Sequence, residues 1–146
     1  MVSIEVDDGT IESTTKLEAD LTIHHNNNSN YSKGIVLFAY GSGSSRHSPR
    51  NKYVAEVLQK DGLATLLVDL LTGKEEEEDT KAQKISYKIP GLVLNKFNIN
   101  LLARRLVSIT NWILENPDTK NFLVGYFGAS TGTAAAIVAA AQRQCL

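Results

Sequence analysis

Apolar and polar residues alternate in two segments at the start of the chain. In 2–6 (VSIEV) and 14–23 (TTKLEADLTI) every second residue is apolar, which is the period of a half-buried β-strand. A polar, asparagine-rich segment follows at 24–30 (HHNNNSN), and such residues favour turns. We predict an antiparallel hairpin here. His24 and His25 are interpreted as solvated turn residues rather than metal ligands, because no third ligand stands at a suitable spacing.

Three later segments are continuous apolar runs, which are typical of strands buried on both faces of a parallel sheet. They are 34–40 (GIVLFAY), 63–70 (LATLLVDL) and 121–127 (NFLVGYF). The first two of these runs are separated by a helical segment, so together they form a βαβ unit. Such a unit predicts two parallel strands joined by a right-handed connection.

Helical spacing of apolar residues separates these strands. A helix is predicted at 53–62, with Asn51 as its N-cap and Gly62 as its stop, and an amphipathic helix is predicted at 97–116. A third helix is predicted to open at 130–141. The resulting order predicts an α/β fold, with a mostly parallel sheet, a leading antiparallel hairpin and helices on both faces.

Five consecutive acidic residues, 75–79, lie in the least regular part of the chain. Neighbouring like charges repel one another and resist packing, so we predict a solvated surface loop. The alternative is a divalent-metal site, which needs a chelating geometry that a contiguous run rarely supplies.

The length, net charge and composition of the chain limit the classes of partner that it can have. The 146 residues have the length of one domain, 1–146, and a formal net charge of −1 gives no reason to expect nucleic acid. The longest apolar stretch, 134–141, is too short to cross a membrane. The single cysteine, Cys145, excludes an internal disulfide and fits a reducing compartment. We therefore expect a cytoplasmic protein without a membrane partner.

The sequence GYFGASTGTAAA, residues 125–136, places a serine between a predicted strand and a predicted helix. Gly128, Ser130 and Gly132 fit the pattern G-x-S-x-G, in which a sharp turn raises the serine hydroxyl at the end of the sheet. The turn is so tight that glycine is needed on both sides. Ser130 is therefore a candidate nucleophile, and the amide of Thr131, at the helix N-terminus, is a candidate donor to an oxyanion.

The loop after the first apolar run supplies the second half of this predicted site. It contains Gly41, Ser42 and Gly43, and glycines let a backbone turn its amides inward. We predict the amide of Ser42 as the second oxyanion donor, with Gly41 and Gly43 permitting the turn. The alternative is that the two glycines serve only as turn residues.

The same loop allows a second interpretation, a nucleotide-binding domain. Gly41 and Gly43 follow a strand, and Asp69 closes the next one, as in a dinucleotide-binding fingerprint. However, Arg46 stands where the third glycine is expected, and the loop continues through Pro49 before the helix begins. The fingerprint is therefore incomplete.

Two segments, 34–72 and 97–136, resemble the dienelactone-hydrolase-like branch of the α/β-hydrolase superfamily. They are similar to the small bacterial hydrolases of that branch that also occur fused to phosphoribosyltransferase domains. The resemblance implies an α/β-hydrolase-type fold and cytosolic, cofactor-independent hydrolysis of a small-molecule ester or lactone. It also implies Ser130 as the nucleophile, with Thr131 and the Gly41–Ser42 segment serving the oxyanion.

The chain departs from this family pattern at two points. Relatives usually have histidine at the position of Tyr40. They also continue through further strands that carry the acid and the histidine of the triad, whereas no His, Asp or Glu follows Ser130 here. We therefore expect a hydrolase domain without its last strands and with impaired turnover. The strand at 121–127 would then be an exposed edge through which the chain self-associates.

Two residues could substitute for the absent triad members, and neither is favoured. His47 is interpreted as a surface or loop-packing residue. Asp69 ends a strand that we place two positions from the serine strand, with 34–40 between them, so it is interpreted as a helix-loop organiser rather than as the triad acid. Three hypotheses remain open: a hydrolase domain impaired on its own, an enzyme completed by another chain, and a non-catalytic interaction module.

Overall fold

The computed structural model describes residues 1–7, 9, 14–23, 34–41, 43–85 and 88–144. The strands are β1 (Val2–Val6), β2 (Thr15–Thr22), β3 (Gly34–Ala39), β4 (Ala64–Val68) and β5 (Leu123–Gly128). The helices are α1 (Pro49–Lys60), α2 (Gly73–Gln83), α3 (Ile99–Glu115) and α4 (Thr131–Gln144), with a short 3₁₀ helix at Asn95–Phe97. The predicted elements are confirmed, and α2 and the 3₁₀ helix are added to them. The turn predicted at 24–30 lies outside the described residues.

The strands form one mixed sheet in the order β1-β2-β4-β3-β5. β1 and β2 pair antiparallel, as do β2 and β4, whereas β3 is parallel to both β4 and β5. In the register, Phe38 faces Leu67 of β4, and Ala39 faces Gly128 of β5. The carboxyl ends of β3, β4 and β5 therefore meet at one edge of the sheet, which is where ligands bind in open α/β sheets.

Helices cover both faces of the sheet, which confirms the predicted α/β fold. On one face, α3 and α4 pack against the alternate apolar residues of the strands; the α3 residues in this core are Leu102, Leu106, Ile109 and Ile113. On the other face, α1 packs over Phe38, Tyr40 and Leu67 through Ala55. Among the described residues, no helix is long and apolar enough to cross a membrane.

The acidic run at 75–79 does not form a loop, and that prediction is wrong. It lies in α2, whose N-cap is Thr72. The hydroxyl of Thr72 accepts the amide of Glu75 at 3.2 Å, and the carboxylate of Glu75 accepts the amide of Thr72 at 2.9 Å. This capping box satisfies two amides of the first turn, and acidic residues there interact favourably with the helix dipole.

Two of these acids also attach α2 to the rest of the fold. Glu75 accepts hydrogen bonds from buried Arg105 at 2.5 and 2.7 Å. Asp79 is buried and accepts the amides of Asn95 and Lys96 at 2.8 and 3.0 Å, so it caps the 3₁₀ helix. Across the part of the chain that the structure describes, no group of three or more His, Cys, Asp or Glu side chains could hold a metal ion.

α1 begins at Pro49, earlier than predicted, because proline suits the first helical turn. Asn51 is therefore not the N-cap. It is buried inside the helix, and its side-chain amide donates to Ser44 Oγ at 2.8 Å and to the carbonyl of Ser45 at 3.0 Å. Gly62, with a φ of +87°, follows the end of the helix, as predicted.

β5 lies at an edge of the sheet, so the exposed edge expected from the family pattern is confirmed, and the prediction of a strand buried on both faces is wrong. It pairs with β3 on one side, and the described residues place no strand on the other. Its residues are exposed or half-buried, and Leu123 is 78% exposed. The apolar sequence of β5 is thus only partly covered.

Candidate active site

Ser130 lies on the bend between β5 and α4. Its φ is +53°, and it is the one non-glycine residue with a positive φ in the described part of the chain. The amide of Gly132 donates to the carbonyl of Ala129 at 3.0 Å, and the amide of Thr133 donates to the carbonyl of Ser130 at 3.0 Å. The bend therefore passes directly into the helix, and Ser130 is left exposed in a strained conformation.

The glycines on either side of the serine have no room for a side chain. A β-carbon at Gly132 would overlap the carbonyl oxygen of Ala39, and one at Gly128 would lie 2.8 Å from the Cα of Thr133. Both obstacles are backbone atoms, which cannot move aside as a flexible side chain can. Gly132 therefore permits the first turn of α4 to pack against the end of β3.

The loop after β3 lies against the same bend. A β-carbon at Gly41 would overlap Cβ of Ser130 and would lie 2.8 Å from its Oγ, so the backbone of Gly41 contacts the serine directly. Gly43 has a φ of +77°, which favours glycine, and the amide of Ser44 donates to the carbonyl of Gly41 at 3.2 Å. Ser42 lies outside the described residues, so its role as an oxyanion donor stays a prediction.

A cavity of about 400 Å³ opens beside Gly41 and Thr131. Thr131 is the first residue of α4, where helix amides lack intrahelical acceptors and the helix dipole is positive. The cavity is within the size range of small-molecule sites, which combine apolar walls with a few polar groups. Its lining includes Leu70, Leu71, Leu102, Asp69, Glu76 and Lys96.

The fold of the chain matches that of a protein of known structure. The crystal structure of a dienelactone hydrolase from Anabaena variabilis matches the chain with a TM-score of 0.76 and 51% sequence identity, over 98% of this chain and 57% of that one. The chain therefore has the α/β fold of a dienelactone hydrolase. No protein-family model matches it.

Two proteins from strains of Mycobacterium tuberculosis are 57% identical to this chain over 110 residues. Their names assign them provisionally as phosphoribosyl transferases. The match covers 75% of this chain and 22% of each relative, so the chain spans only part of the length of the proteins it resembles. This agrees with the expected similarity to hydrolases fused to phosphoribosyltransferase domains.

Beside the cavity of this α/β-hydrolase fold, the carboxylate of Asp69 is the centre of a hydrogen-bonded cluster. One oxygen accepts the hydroxyl of Tyr40 at 2.6 Å and the amide of Arg46 at 2.8 Å, and the other accepts Arg46 Nη1 at 2.6 Å. Arg46 is 9% exposed and also contacts Glu18 at 2.9 Å and Asp20 at 3.7 Å. Asp69 therefore holds the loop after β3, and its carboxylate is occupied rather than available to a ribose hydroxyl.

Burial and charge keep the donors of this cluster protonated. Burial raises the pKa of Tyr40 well above its usual range, and the hydrogen bond to Asp69 and the charge of Asp69 raise it further. Burial acts to lower the pKa of Arg46, but the carboxylates of Asp69, Glu18 and Asp20 outweigh it, so the pKa is raised. Both side chains therefore donate to Asp69 throughout the neutral range.

Glu76 adds a carboxyl group to the cavity wall. Partial burial raises the pKa of Glu76, and the charges of Asp69 and Asp79 raise it further. The surroundings of Glu76 therefore disfavour its deprotonated, charged form.

The structure brings no base to the serine within the residues that it describes. His47 is exposed, its amide donates to Ser45 Oγ at 3.2 Å, and it does not line the cavity. His24 and His25 lie outside the described residues. No described histidine or carboxylate accepts a hydrogen bond from the hydroxyl of Ser130. The described site therefore consists of the exposed Ser130, the N-terminus of α4 and the loop that contains Gly41 and Gly43.

The sequence did not reveal the partners of Asp69. Tyr40 and Arg46 lie 29 and 23 residues from it along the chain. One signal was available: Asp69 directly follows a buried strand, and Tyr40 directly follows the neighbouring one. Because parallel strands end at the same edge of a sheet, a contact between these two side chains could have been expected.

Proposed function

We propose that this chain is a serine-hydrolase domain for ester- or lactone-type bonds, with Ser130 as its nucleophile. The observation that carries the proposal is the strained serine at the strand-to-helix bend, in direct contact with Gly41. A non-glycine residue at positive φ costs on the order of 1–3 kcal/mol and persists mainly where function or packing requires it. The 51% identity to a dienelactone hydrolase supports the same class of reaction.

In the proposed reaction, Ser130 Oγ attacks the carbonyl carbon of the substrate, and the carbonyl π electrons move onto oxygen. The amides of Thr131 and Ser42 donate hydrogen bonds to that oxyanion. When the carbonyl re-forms, the alcohol leaves with a proton and an acyl ester remains on Ser130. Water then hydrolyses this ester, releasing the acid and restoring the hydroxyl. These steps need no cofactor.

The attack also requires an acceptor for the proton of Ser130. A positioned base contributes roughly 10²–10⁴-fold to such a step. Since none of the described residues provides a base beside Oγ, we expect this chain alone to acylate Ser130 slowly, and its turnover to be impaired relative to an enzyme with a complete triad.

Labelling with a fluorophosphonate tests the proposal. Ser130 Oγ should form a bond to phosphorus as fluoride leaves, with its proton passing to solvent or to added imidazole. We expect slow labelling of the wild-type chain at Ser130, accelerated by imidazole toward the roughly 10²-fold that a base supplies. The adduct is measured by intact-protein mass spectrometry and located by peptide mapping.

Two variants control this experiment. Ser130→Ala should abolish the adduct, and Ser108→Ala, which removes a serine hydroxyl bonded to the amide of Asp7 at 3.1 Å, should leave it unchanged. Labelling that persists in Ser130→Ala would contradict the nucleophile. Rapid labelling without imidazole would support the nucleophile and show that the chain, or a co-purifying one, already supplies a base.

A second candidate function is an interaction module, and the uncovered edge at β5 favours it. A groove of about 530 Å³ runs beside this strand, and its lining includes Val124, Ile137, Ala140 and Arg143. Leu123 and Ile137 are 78% and 65% exposed. β5 itself carries no charge and no proline, which are the usual protections of an edge strand. We propose that a second copy of the chain pairs with this edge.

Leu123→Lys should weaken self-association by about tenfold or more, because each copy loses an apolar contact and gains a charge that must be desolvated at the contact. Sedimentation velocity over a range of protein concentrations measures the effect. Val93→Lys, at an apolar position that is 65% exposed and lies outside the strands, serves as the control and should leave the association unchanged. Equal effects of the two variants, or a wild-type chain that stays monomeric at high concentration, would exclude the β5 edge as the contact.

Phosphoribosyl transfer, which the names of the curated relatives suggest, is not our proposal for this chain. The matched part is 22% of each relative and has the fold of the hydrolase branch. We therefore propose that the activity in those names resides in the remaining part of those proteins.

A further inference from the structure

We propose that Asp69 is a positioning residue for the oxyanion loop, which we define as residues 41–46. The inference rests on the proposed hydrolase function. It starts from the two contacts of Asp69 Oδ1, with the hydroxyl of Tyr40 at 2.6 Å and the amide of Arg46 at 2.8 Å. Tyr40 directly precedes the loop and Arg46 ends it, so a single carboxylate oxygen holds both ends.

The position of Asp69 at the end of the sheet fixes its backbone, and with it the carboxylate that contacts Tyr40 and Arg46. Asp69 directly follows β4, the parallel neighbour of β3, and its own amide donates to the carbonyl of Glu18 in β2 at 3.0 Å. It is therefore held by two strands of the sheet. A carboxylate fixed in this way determines where the chain leaves β3 and, through Gly41, how the loop meets Ser130.

Arg46 completes the attachment of the loop. Its guanidinium group contacts the carboxylates of Asp69, Glu18 and Asp20, at 2.6, 2.9 and 3.7 Å. Asp69 is the best buried of these partners, with 18% of its side chain exposed against 61% for Glu18. Charge-assisted contacts with well-buried partners fix geometry more firmly than exposed ones. Asp69 is thus the main anchor of Arg46.

The inner part of the loop is held by α1. Asn51, buried in α1, donates to Ser44 Oγ at 2.8 Å and to the carbonyl of Ser45 at 3.0 Å. These hydrogen bonds hold the middle of the loop. Asn51 does not bond to Tyr40, the residue that precedes Gly41. Among the described residues, only Asp69 is bonded both to Tyr40, which precedes the loop, and to Arg46, which ends it.

Tyr40→Phe removes one of these contacts while keeping the ring in the core. Because a small displacement of oxyanion donors is costly, we expect the maximal rate of fluorophosphonate labelling at Ser130 to fall by about 10-fold. The concentration of reagent for half-maximal rate should change little, because the cavity wall is otherwise intact. Hydrogen exchange of the amides in 43–48 should accelerate in the same variant. Tyr53→Phe, which removes an exposed phenol hydroxyl from α1, should change none of these quantities.

Asp69→Asn provides the second variant. It keeps the shape of the side chain and removes its charge, so both the loop exchange and the labelling rate should change in the same direction as in Tyr40→Phe. Unchanged labelling and exchange in both variants would overturn the inference. So would faster exchange with an unchanged labelling rate, because the carboxylate would then be only structural.

The outcome can be separated from that of the proposed function. If the wild-type chain is not labelled at Ser130 even with imidazole, the hydrolase proposal fails, and so does a positioning role in catalysis. The exchange measurement then still decides whether Asp69 holds the loop. If labelling at Ser130 occurs and the two variants leave it unchanged, only the inference about Asp69 fails.

Discussion

Gly132→Ala is expected to destabilise the folded chain by about 2–3 kcal/mol, although alanine is normally the better residue in a helix. The added β-carbon would overlap the carbonyl oxygen of Ala39 and lie 2.5 Å from its carbonyl carbon. That carbonyl also accepts the amide of Ala129 at 3.0 Å, so it cannot move without breaking the bend. At an unobstructed helical position the same change would stabilise by roughly 0.5–1 kcal/mol. The sign of the effect therefore tests the packing.

Urea denaturation followed by circular dichroism measures this change, with Gly125→Ala as the matched control. A β-carbon at Gly125 meets no heavy atom within 4 Å, and Gly125 is not among the described glycines at positive φ. Its substitution should shift stability by no more than about 0.5 kcal/mol. A stabilised Gly132→Ala, or equal losses in the two variants, would contradict the close approach of α4 to the end of β3. Labelling at Ser130 should also be lost in Gly132→Ala.

Glu75→Gln is expected to cost about 3 kcal/mol, because it removes a charged partner from a buried arginine. Arg105 is 1% exposed and donates two hydrogen bonds to Glu75, at 2.5 and 2.7 Å, and one to the carbonyl of Leu70 at 2.6 Å. Glutamine has the same length and can still accept the amide of Thr72, so the capping of α2 is retained. The loss of stability then measures the contribution of the carboxylate to the buried Arg105, and not the capping of α2.

The control for this prediction is Glu78→Gln, which removes an exposed charge from the same helix. It should change the free energy of unfolding by no more than about 0.5 kcal/mol. The same urea titration applies to both variants. If Glu78→Gln is as costly as Glu75→Gln, the effect comes from net charge or helix propensity, and the Arg105 contact does not carry the stability assigned to it.

The strands and the long helix could be predicted because their signals are local. Alternation in 2–6 and 14–23, the apolar runs and the helical spacing of 97–116 each describe a buried face within a few residues. The bend at Ser130 is local too, since its glycines lie two residues away on either side. The order of β4, β3 and β5 is also as predicted, with 34–40 between the strand that ends near Asp69 and the serine strand.

The misassigned segments depend on partners far along the chain. The acidic run was predicted as a loop, whereas Glu75 is neutralised by Arg105, 30 residues away, and Asp79 caps a 3₁₀ helix that starts 16 residues later. The apolar sequence of β5 by itself predicts a buried strand, whereas the strand lies at the sheet edge and is only partly covered, a position that was expected only from the family pattern. Charge and hydropathy do not reveal which distant group will meet a residue.

The amino-acid sequence by itself determined the period of each element and the sharp turn at Ser130, because steric and hydrophobic constraints act between residues close together in the chain. Tertiary structure alone decided that Gly41 contacts a serine 89 positions later, and that Tyr40 and Arg46 share the carboxylate of Asp69. Such contacts depend on which strands become neighbours and on where they end, and folding fixes both through the packing of the whole sheet.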